Sequence, residues 1–372
     1  NGQSPPTTGF AQRIPILPEE PFDYTQPWPA WFDEPGPFTV PIADLDSTPV
    51  DNPVTDEGAT LGRVLFYDVN LSRNRTVRCA SCHLQNHSFA DPLVLSQGLD
   101  GLRTRRNAMS LANATFNASG RFLWDESAPT LEEQVVMPFD DSLEMDLEPS
   151  QLIARVEAQP YYEPLFVDAF GDSEVTRARI ARALAQFVRA MVSADAPYDE
   201  GRAEVADAAA PFPNFTEAEN RGKTLFLAPR PSGAGCASCH STDLQIAAIA
   251  APRNNGLDLP LAVDPARDQG VFETTGDPTQ AGAFRVPSLR NVTETAPYMH
   301  DGRLVTLNDV VEHYSQAIQP HENLALELRG PDGAPINDPF TDAEKADLLA
   351  FLATLTDERF LTDERFSEPF RG

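Results

Sequence analysis

The sequence carries the same five-residue signature twice, Cys79-Ala80-Ser81-Cys82-His83 and Cys236-Ala237-Ser238-Cys239-His240. C-x-x-C-H is the attachment pattern of c-type haem. Two cysteines one helical turn apart can each form a thioether to a haem vinyl group, and the histidine that follows is held beneath the iron as proximal ligand. All four cysteines of the chain sit in these two motifs, so none is left for a disulfide. Zinc ribbons separate their C-x-x-C pairs by about 15–20 residues, whereas Cys82 and Cys236 stand 154 positions apart. A thioredoxin-like pair needs a βαβ setting, which the sequence does not offer. The expectation is a chain that carries two haem c groups.

The 372 residues suffice for about two domains, and 41% hydrophobic content supports a sizeable core. A net charge of −28 argues against nucleic acid and anionic membrane surfaces as partners. It reads as a solvated acidic surface. No apolar run approaches the ~20 residues of a membrane span. The chain opens at Asn1 without a methionine, so removal of a signal peptide is expected. Haem c is attached outside the cytoplasm, which makes the periplasm or the exterior the expected location.

Residues 1–45 are rich in proline and aromatics, with Pro18, Pro21, Phe22, Trp28, Trp31, Phe32 and Pro35, and lack any periodicity. They read as an extended arm anchored by its aromatics. A first haem domain is expected over 46–205. A short helix with Leu61, Val64, Leu65 and Phe66 leads into the first motif, and residues 99–112 form a polar loop. A helix over 172–194 is capped by Thr176 and places Ile180, Leu184, Phe187 and Met191 on one face. The second domain, 206–372, repeats the plan. Gly62-x-x-Leu65-Phe66 is echoed by Gly222-x-x-Leu225-Phe226, and Thr216-x-x-Glu219 is a capping box. Residues 243–283 are irregular. A helix near 307–317 follows, then one capped by Thr341-x-x-Glu344 with Leu348, Phe351, Leu352 and Leu355 facing the core. The fold class is mainly α, with two tandem cytochrome-c-like haem domains behind the arm.

After the arm the chain resembles the bacterial dihaem cytochrome c peroxidase and MauG superfamily. The resemblance lies in Leu61-Gly-Arg-Val-Leu-Phe-Tyr-Asp68, the two haem motifs, Arg106-Asn107, Phe122-Leu-Trp124, Leu131-Glu-Glu-Gln134, Val286-Pro-Ser-Leu-Arg-Asn291 and Ala296-Pro-Tyr-Met-His-Asp-Gly302. The segment Asp51-Asn-Pro53 and the ending Leu355 to Phe366 look most like the MbnH branch, MauG-like enzymes found beside a copper-binding partner.

The resemblance implies that the first haem meets peroxide. Gln134 and Glu144 follow Trp124 by ten and twenty residues, as the family's distal pair does. A carboxylate there can carry a proton between the two peroxide oxygens, Gln134 can donate a hydrogen bond, and Pro138 restricts access. Without the resemblance Glu144 is one of 56 acidic residues and reads as a surface charge. Leu99 stands where the family's peroxidases place a plugging histidine, sixteen residues past His83, so the first iron is expected to be open. His87 reads as a loop residue. Tyr314 stands where those peroxidases place a methionine ligand, and MauG has tyrosine there. An anionic tyrosinate lowers the iron potential. From spacing alone Tyr314 is a core aromatic beside Val310 and Val311, and Met299, His300 and His313 stay open as ligands. The resemblance further implies Trp124 as an electron relay. It also implies one calcium ion on the Asn107 side chain and the carbonyls of Thr295 and Pro297, oxygen donors of the kind calcium takes. MauG has a surface tryptophan two residues before its second motif; here that position is Ala234, so an electron would leave elsewhere.

The function this implies is a haem-peroxidase-type oxidoreductase. Hydrogen peroxide generates a bis-Fe(IV) state that removes electrons at long range from a small secreted, copper-binding partner, converting a tryptophan to kynurenine. The alternative is a cytochrome c peroxidase fed by a small cytochrome or cupredoxin. A non-enzymatic carrier is disfavoured by the Gln134–Glu144 pair.

Overall fold

The structure, a computed structural model, describes residues 14–34, 40–249, 251–260, 262–264 and 266–370. Pro35 and the first 13 residues of the expected arm lie outside them. The described residues are helical, with only isolated bridges in place of strands. No described helix is long and apolar enough to cross a membrane.

Two helix pairs dominate. Helix α1 (Asp56–Tyr67) crosses α2 (Arg177–Arg189). Thr55 starts α1 by accepting the Gly58 N–H at 3.0 Å, and its own hydroxyl donates to Gln186 of α2 at 3.1 Å. Thr176 caps α2 as expected, but the helix proper is shorter than the 172–194 span. Gly171 leaves the preceding helix in the left-handed region, and Ala190 caps the far end of α2.

The second pair is built the same way. Helix α3 (Glu217–Leu227) carries the Thr216–Glu219 capping box and packs on α5 (Asp342–Ala353), capped by Thr341 and Glu344. Between them in sequence runs α4 (Leu307–Gln316), with a further capping box from Thr306 and Asp309.

The echoed glycines explain the pairing. A Cβ on Gly62 would lie 2.0 Å from the Ala183 carbonyl oxygen of α2. One on Gly222 would lie 1.9 Å from the Asp347 carbonyl oxygen of α5. Each glycine marks a backbone-to-backbone crossing that no side chain can enter. The Leu-Phe that follows buries Leu65, Phe66 and Phe226 in the cores beside the crossings.

Three apolar clusters result among the described residues. The first surrounds α1 and α2, and it also takes in Phe360, Leu361, Phe366 and Phe370 from the end of the chain. That tail is stitched to α1: Arg63 donates to the Ser367 carbonyl at 2.6 Å and Tyr67 to the Phe366 carbonyl at 2.7 Å. The second cluster surrounds α3 and α5. The third packs Trp31 and Phe32 of the arm with Phe116 of the first unit and Leu244 and Ile246 of the second. Trp28, 38% exposed, rests edge-on against Phe116 at 4.9 Å.

Polar contacts join the two units. The buried Asn291 amide reaches Ser88 and Ser193, both at 3.1 Å, and accepts the Asp357 N–H at 2.7 Å. Arg106 pairs with Asp125 and, at 2.6 Å, with Asp268 of the irregular 243–283 stretch.

Candidate functional site

Each haem motif forms a 3-10 turn, Cys79–Ser81 and Cys236–Ser238, opening on a cavity. The four thiols are unpaired. Burial pushes Cys79, Cys82 and Cys236 up to about 12 and Cys239 up to about 11. Burial thus keeps the four free thiols protonated at neutral pH.

The two histidines are set identically. His83 Nδ1 lies 2.7 Å from the Phe89 carbonyl, and His240 Nδ1 lies 3.1 Å from the Gln245 carbonyl. A carbonyl only accepts, so Nδ1 carries the hydrogen and Nε2 keeps its lone pair for a metal. Burial lowers both rings, His240 to about 4, which keeps them neutral. Phe89 and Gln245 both adopt a positive φ, 59° and 50°, a costly conformation that turns their carbonyls onto the rings. Nothing in the spacing singles these two residues out, since one follows its histidine by six positions and the other by five.

On the wall of the larger cavity, Arg253 Nε is buried without a hydrogen-bond partner among the described residues. Neutral imidazoles with a free Nε2, paired cysteines and largely apolar walls fit a covalently held haem in each cavity.

The first cavity is small, about 60 Å³. Gln134, Pro138 and Glu144 line it together with Cys79, Cys82 and His83. Two short turns, Leu131–Gln134 and Met137–Asp140, place the first two residues, with Pro138 in the opening turn of the second. The backbone after them folds back, so that Met145 N–H meets the Pro138 carbonyl at 3.1 Å and carries Glu144 to the cavity. Burial, and to a lesser degree the charge of Asp141, raise the Glu144 carboxyl to about 7. Neither Gln134 nor Glu144 spends its side chain on a described protein partner. Leu99 is fully buried in the first core and off the cavity wall, its N–H on the Glu144 carbonyl at 3.2 Å. His87 bonds the Glu294 carbonyl at 3.0 Å and faces the second unit. Among the described residues His83 is thus the only histidine on this cavity.

The second cavity is larger, about 230 Å³. Tyr314 from α4, Met299 and His300 line it with Cys236, Cys239 and His240. The Tyr314 hydroxyl accepts from Asn255 Nδ2 at 3.2 Å, and the same nitrogen lies 3.4 Å from Met299 Sδ. Burial holds the phenol well above its ordinary range. His313 is turned off the wall, with Nε2 3.1 Å from the Asn255 carbonyl. His300 lies flat on Phe284, 3.8 Å between ring centres. Asn255, which touches three of the four ligand candidates, lies in the stretch where sequence patterning carries no signal.

Trp124 also lines this cavity, beside Ala90 and Asn107–Ser110 of the first unit. Its indole donates to the Asn107 carbonyl at 2.9 Å. The backbone of Met109, in the same segment, faces the His83 ring. The tryptophan therefore stands where the two histidine settings adjoin. Asn107, Thr295 and Pro297 meet on the same wall. Asn107 Nδ2 donates to the Leu93 and Val94 carbonyls at 3.1 and 3.2 Å, which leaves Oδ1 as its uncommitted oxygen. Ala234 is buried against the same cavity, with no path to the surface through its side chain.

Residues 56–206 match the family model described as di-haem cytochrome c peroxidase. The methylamine utilization protein MauG of Methylophilus methylotrophus is 33% identical over 84% of the chain and 86% of its own length. The cytochrome-c peroxidase IdrP1 of Denitromonas iodatirespirans is 30% identical over 85% of the chain and 86% of its own. Among solved structures, a MauG-like protein associated with microbial copper homeostasis superposes with a TM-score of 0.73 at 35% identity, covering 88% of this chain and 97% of that one.

Proposed function

The chain belongs to the di-haem cytochrome c peroxidase and MauG family, with two haem cofactors, and from that premise we propose that it uses hydrogen peroxide to oxidise a residue of a partner protein. Cys79 and Cys82 would hold one haem with His83 beneath its iron, and Cys236 and Cys239 the other with His240. When bound, the two haems supply irons that accept two oxidising equivalents from peroxide and share them.

The chain's own residues do the rest. Glu144, poised near neutrality, takes a proton from one peroxide oxygen and returns it to the other, which leaves as water. Gln134 donates a hydrogen bond to the peroxide, and Pro138 narrows the approach. Tyr314 is the proposed second ligand of the larger cavity, oriented by Asn255. Trp124 relays electrons between the cavities, and Asn107 Oδ1 with the Thr295 and Pro297 carbonyls is the proposed calcium site. The proposed substrate is a tryptophan, converted to kynurenine, on a small secreted copper-binding protein. The likeness to a MauG-like protein associated with copper homeostasis supports that choice. The proposed location is the periplasm or the exterior of the cell, where haem c is attached.

One observation carries this reading. Glu144, Gln134 and Pro138 share a cavity wall with His83, and no second histidine among the described residues closes it. The test is one equivalent of peroxide added to the fully ferric protein, followed optically into the near infrared. A prompt Soret shift with a long-lived near-infrared band is expected. A six-coordinate first haem, silent until its partner is reduced, overturns the reading. It would favour instead a peroxidase that draws electrons from a small cytochrome or cupredoxin, for which the Met299 sulfur on the second cavity wall is the supporting observation.

A further inference from the structure

Three arginines line the two cavities: Arg78 the smaller, Arg253 and Arg285 the larger. Two of them are matched by carboxylates of the chain. Arg78 meets Glu368 through both terminal nitrogens, one contact at 2.8 Å, and Arg253 meets Glu327 at 3.3 Å. Arg285 is not matched. Its guanidinium lies 5.3 Å over the Phe122 ring and makes no hydrogen bond or ion pair with a described residue. Glu126 acts on it through space without closing an ion pair, and burial pushes the guanidinium down to about 10. A cation partly withdrawn from water on a cavity wall, with no counter-charge in contact, is costly to keep.

The main chain pins Arg285 in place. Its N–H donates to the Trp124 carbonyl at 2.9 Å, and the backbone of Pro287, two residues on, faces the His240 ring. The residue is thus held on the cavity wall between the tryptophan and the histidine. Much of the surrounding wall is apolar, with Phe226, Leu289, Val311 and Leu348. The charged groups at the edge of a haem are its two propionates. A guanidinium fork matches one carboxylate through two parallel hydrogen bonds.

We propose that Arg285 binds a propionate of the haem in the larger cavity and, as a positioning residue, raises that haem's reduction potential. The charge stabilises the ferrous over the ferric state of the nearby iron, and the hydrogen bonds fix the tilt of the macrocycle beside Trp124. The inference rests on a haem filling the larger cavity and not on the peroxide chemistry proposed above.

The experiment is an optical redox titration, without peroxide, of the haem-loaded protein and its R285Q and R285K variants. In R285Q the midpoint of the larger-cavity haem is expected to fall while that of the other haem stays. R285K keeps the charge but not the fork, and recovers part of the shift. Unchanged midpoints in R285Q, or equal falls in both haems, overturn the proposal. If R285Q does not take up haem, resonance Raman spectra of R285K decide. A changed propionate bending mode on one haem supports the proposal, and an unchanged spectrum overturns it. Because no peroxide is involved, this result and that of the peroxide test stand independently.

Discussion

The two cavities share a blueprint and differ in what faces the histidine. In both, a C-x-x-C-H turn sits beside a helix crossing made by a glycine, and a left-handed residue aims its carbonyl at Nδ1. Sharing a cavity of about 60 Å³ with His83 are a carboxyl near neutrality and an uncommitted amide. Sharing a cavity of about 230 Å³ with His240 are a hydrogen-bonded phenol, a thioether and a stacked imidazole. On the function proposed above, the first would move protons and the second would hold charge, with the motif setting the tether and the rest of the wall setting the chemistry. That division of labour can be broken by experiment.

The largest effect is expected at Glu144. E144Q keeps the shape of the wall and removes the proton carrier, so peroxide-induced spectral change in stopped flow should slow by roughly 10²–10⁴-fold. The wild-type rate should rise as pH passes upward through about 7, where the carboxyl ionises, and E144Q should lose that dependence. Tyr314→Phe should leave the first reaction intact and shorten the life of the oxidised state; an equal slowing of both steps would erase the distinction between the cavities.

Next come the crossings. Gly62→Ala and Gly222→Ala each drive a methyl into a carbonyl, so each should cost about 1–3 kcal/mol in denaturant melts. Clearly unequal costs would show that the two units are not mechanical equivalents.

A pH-dependent term follows from the same Glu144. Its folded pKa lies above the ordinary carboxyl value of 4.5, so the folded state holds its proton more tightly than the unfolded chain. Stability should therefore decline as pH rises from about 4.5 to about 7. The difference between wild type and E144Q, measured by thermal melts across that window, isolates this contribution.

The smallest effect separates two caps. Thr55→Ala loses the cap of α1 and a bond to the buried Gln186, whereas Thr216→Ala loses the exposed cap of α3 and a solvent-exposed bond to Glu219 at 2.9 Å. The second should cost about 1 kcal/mol and the first more.

The tethers, the glycine echo and three of the helix caps are local patterns, and the sequence displays them. Thr176 with its apolar face, and Thr216 and Thr341 with their glutamates, stand where the helices start. The walls are not local. Glu144 is one acid among many until folding buries it beside Cys79, and only the resemblance of its spacing to a known family singled it out. Asn255 and Arg285 fall in or just beyond a stretch without periodicity, and their meaning comes from what three-dimensional packing leaves near them. Phe89 and Gln245 matter for a backbone angle, which no side-chain identity announces. Leu99 was legible as an absence, and its burial behind the Glu144 backbone accounts for what occupies that position.

The tail that closes on α1 bears on how the molecule is assembled. Phe360, Phe366 and Phe370 complete the core around the first motif, and the Ser367 and Phe366 carbonyls satisfy Arg63 and Tyr67. A chain made from its N-terminus presents Cys79 and Cys82 long before these residues emerge. The second unit can gather α3, α4 and α5 as they appear, but the first must wait for residues 360–370 to seal it. The first motif to leave the ribosome is thus the later of the two to gain its full apolar enclosure.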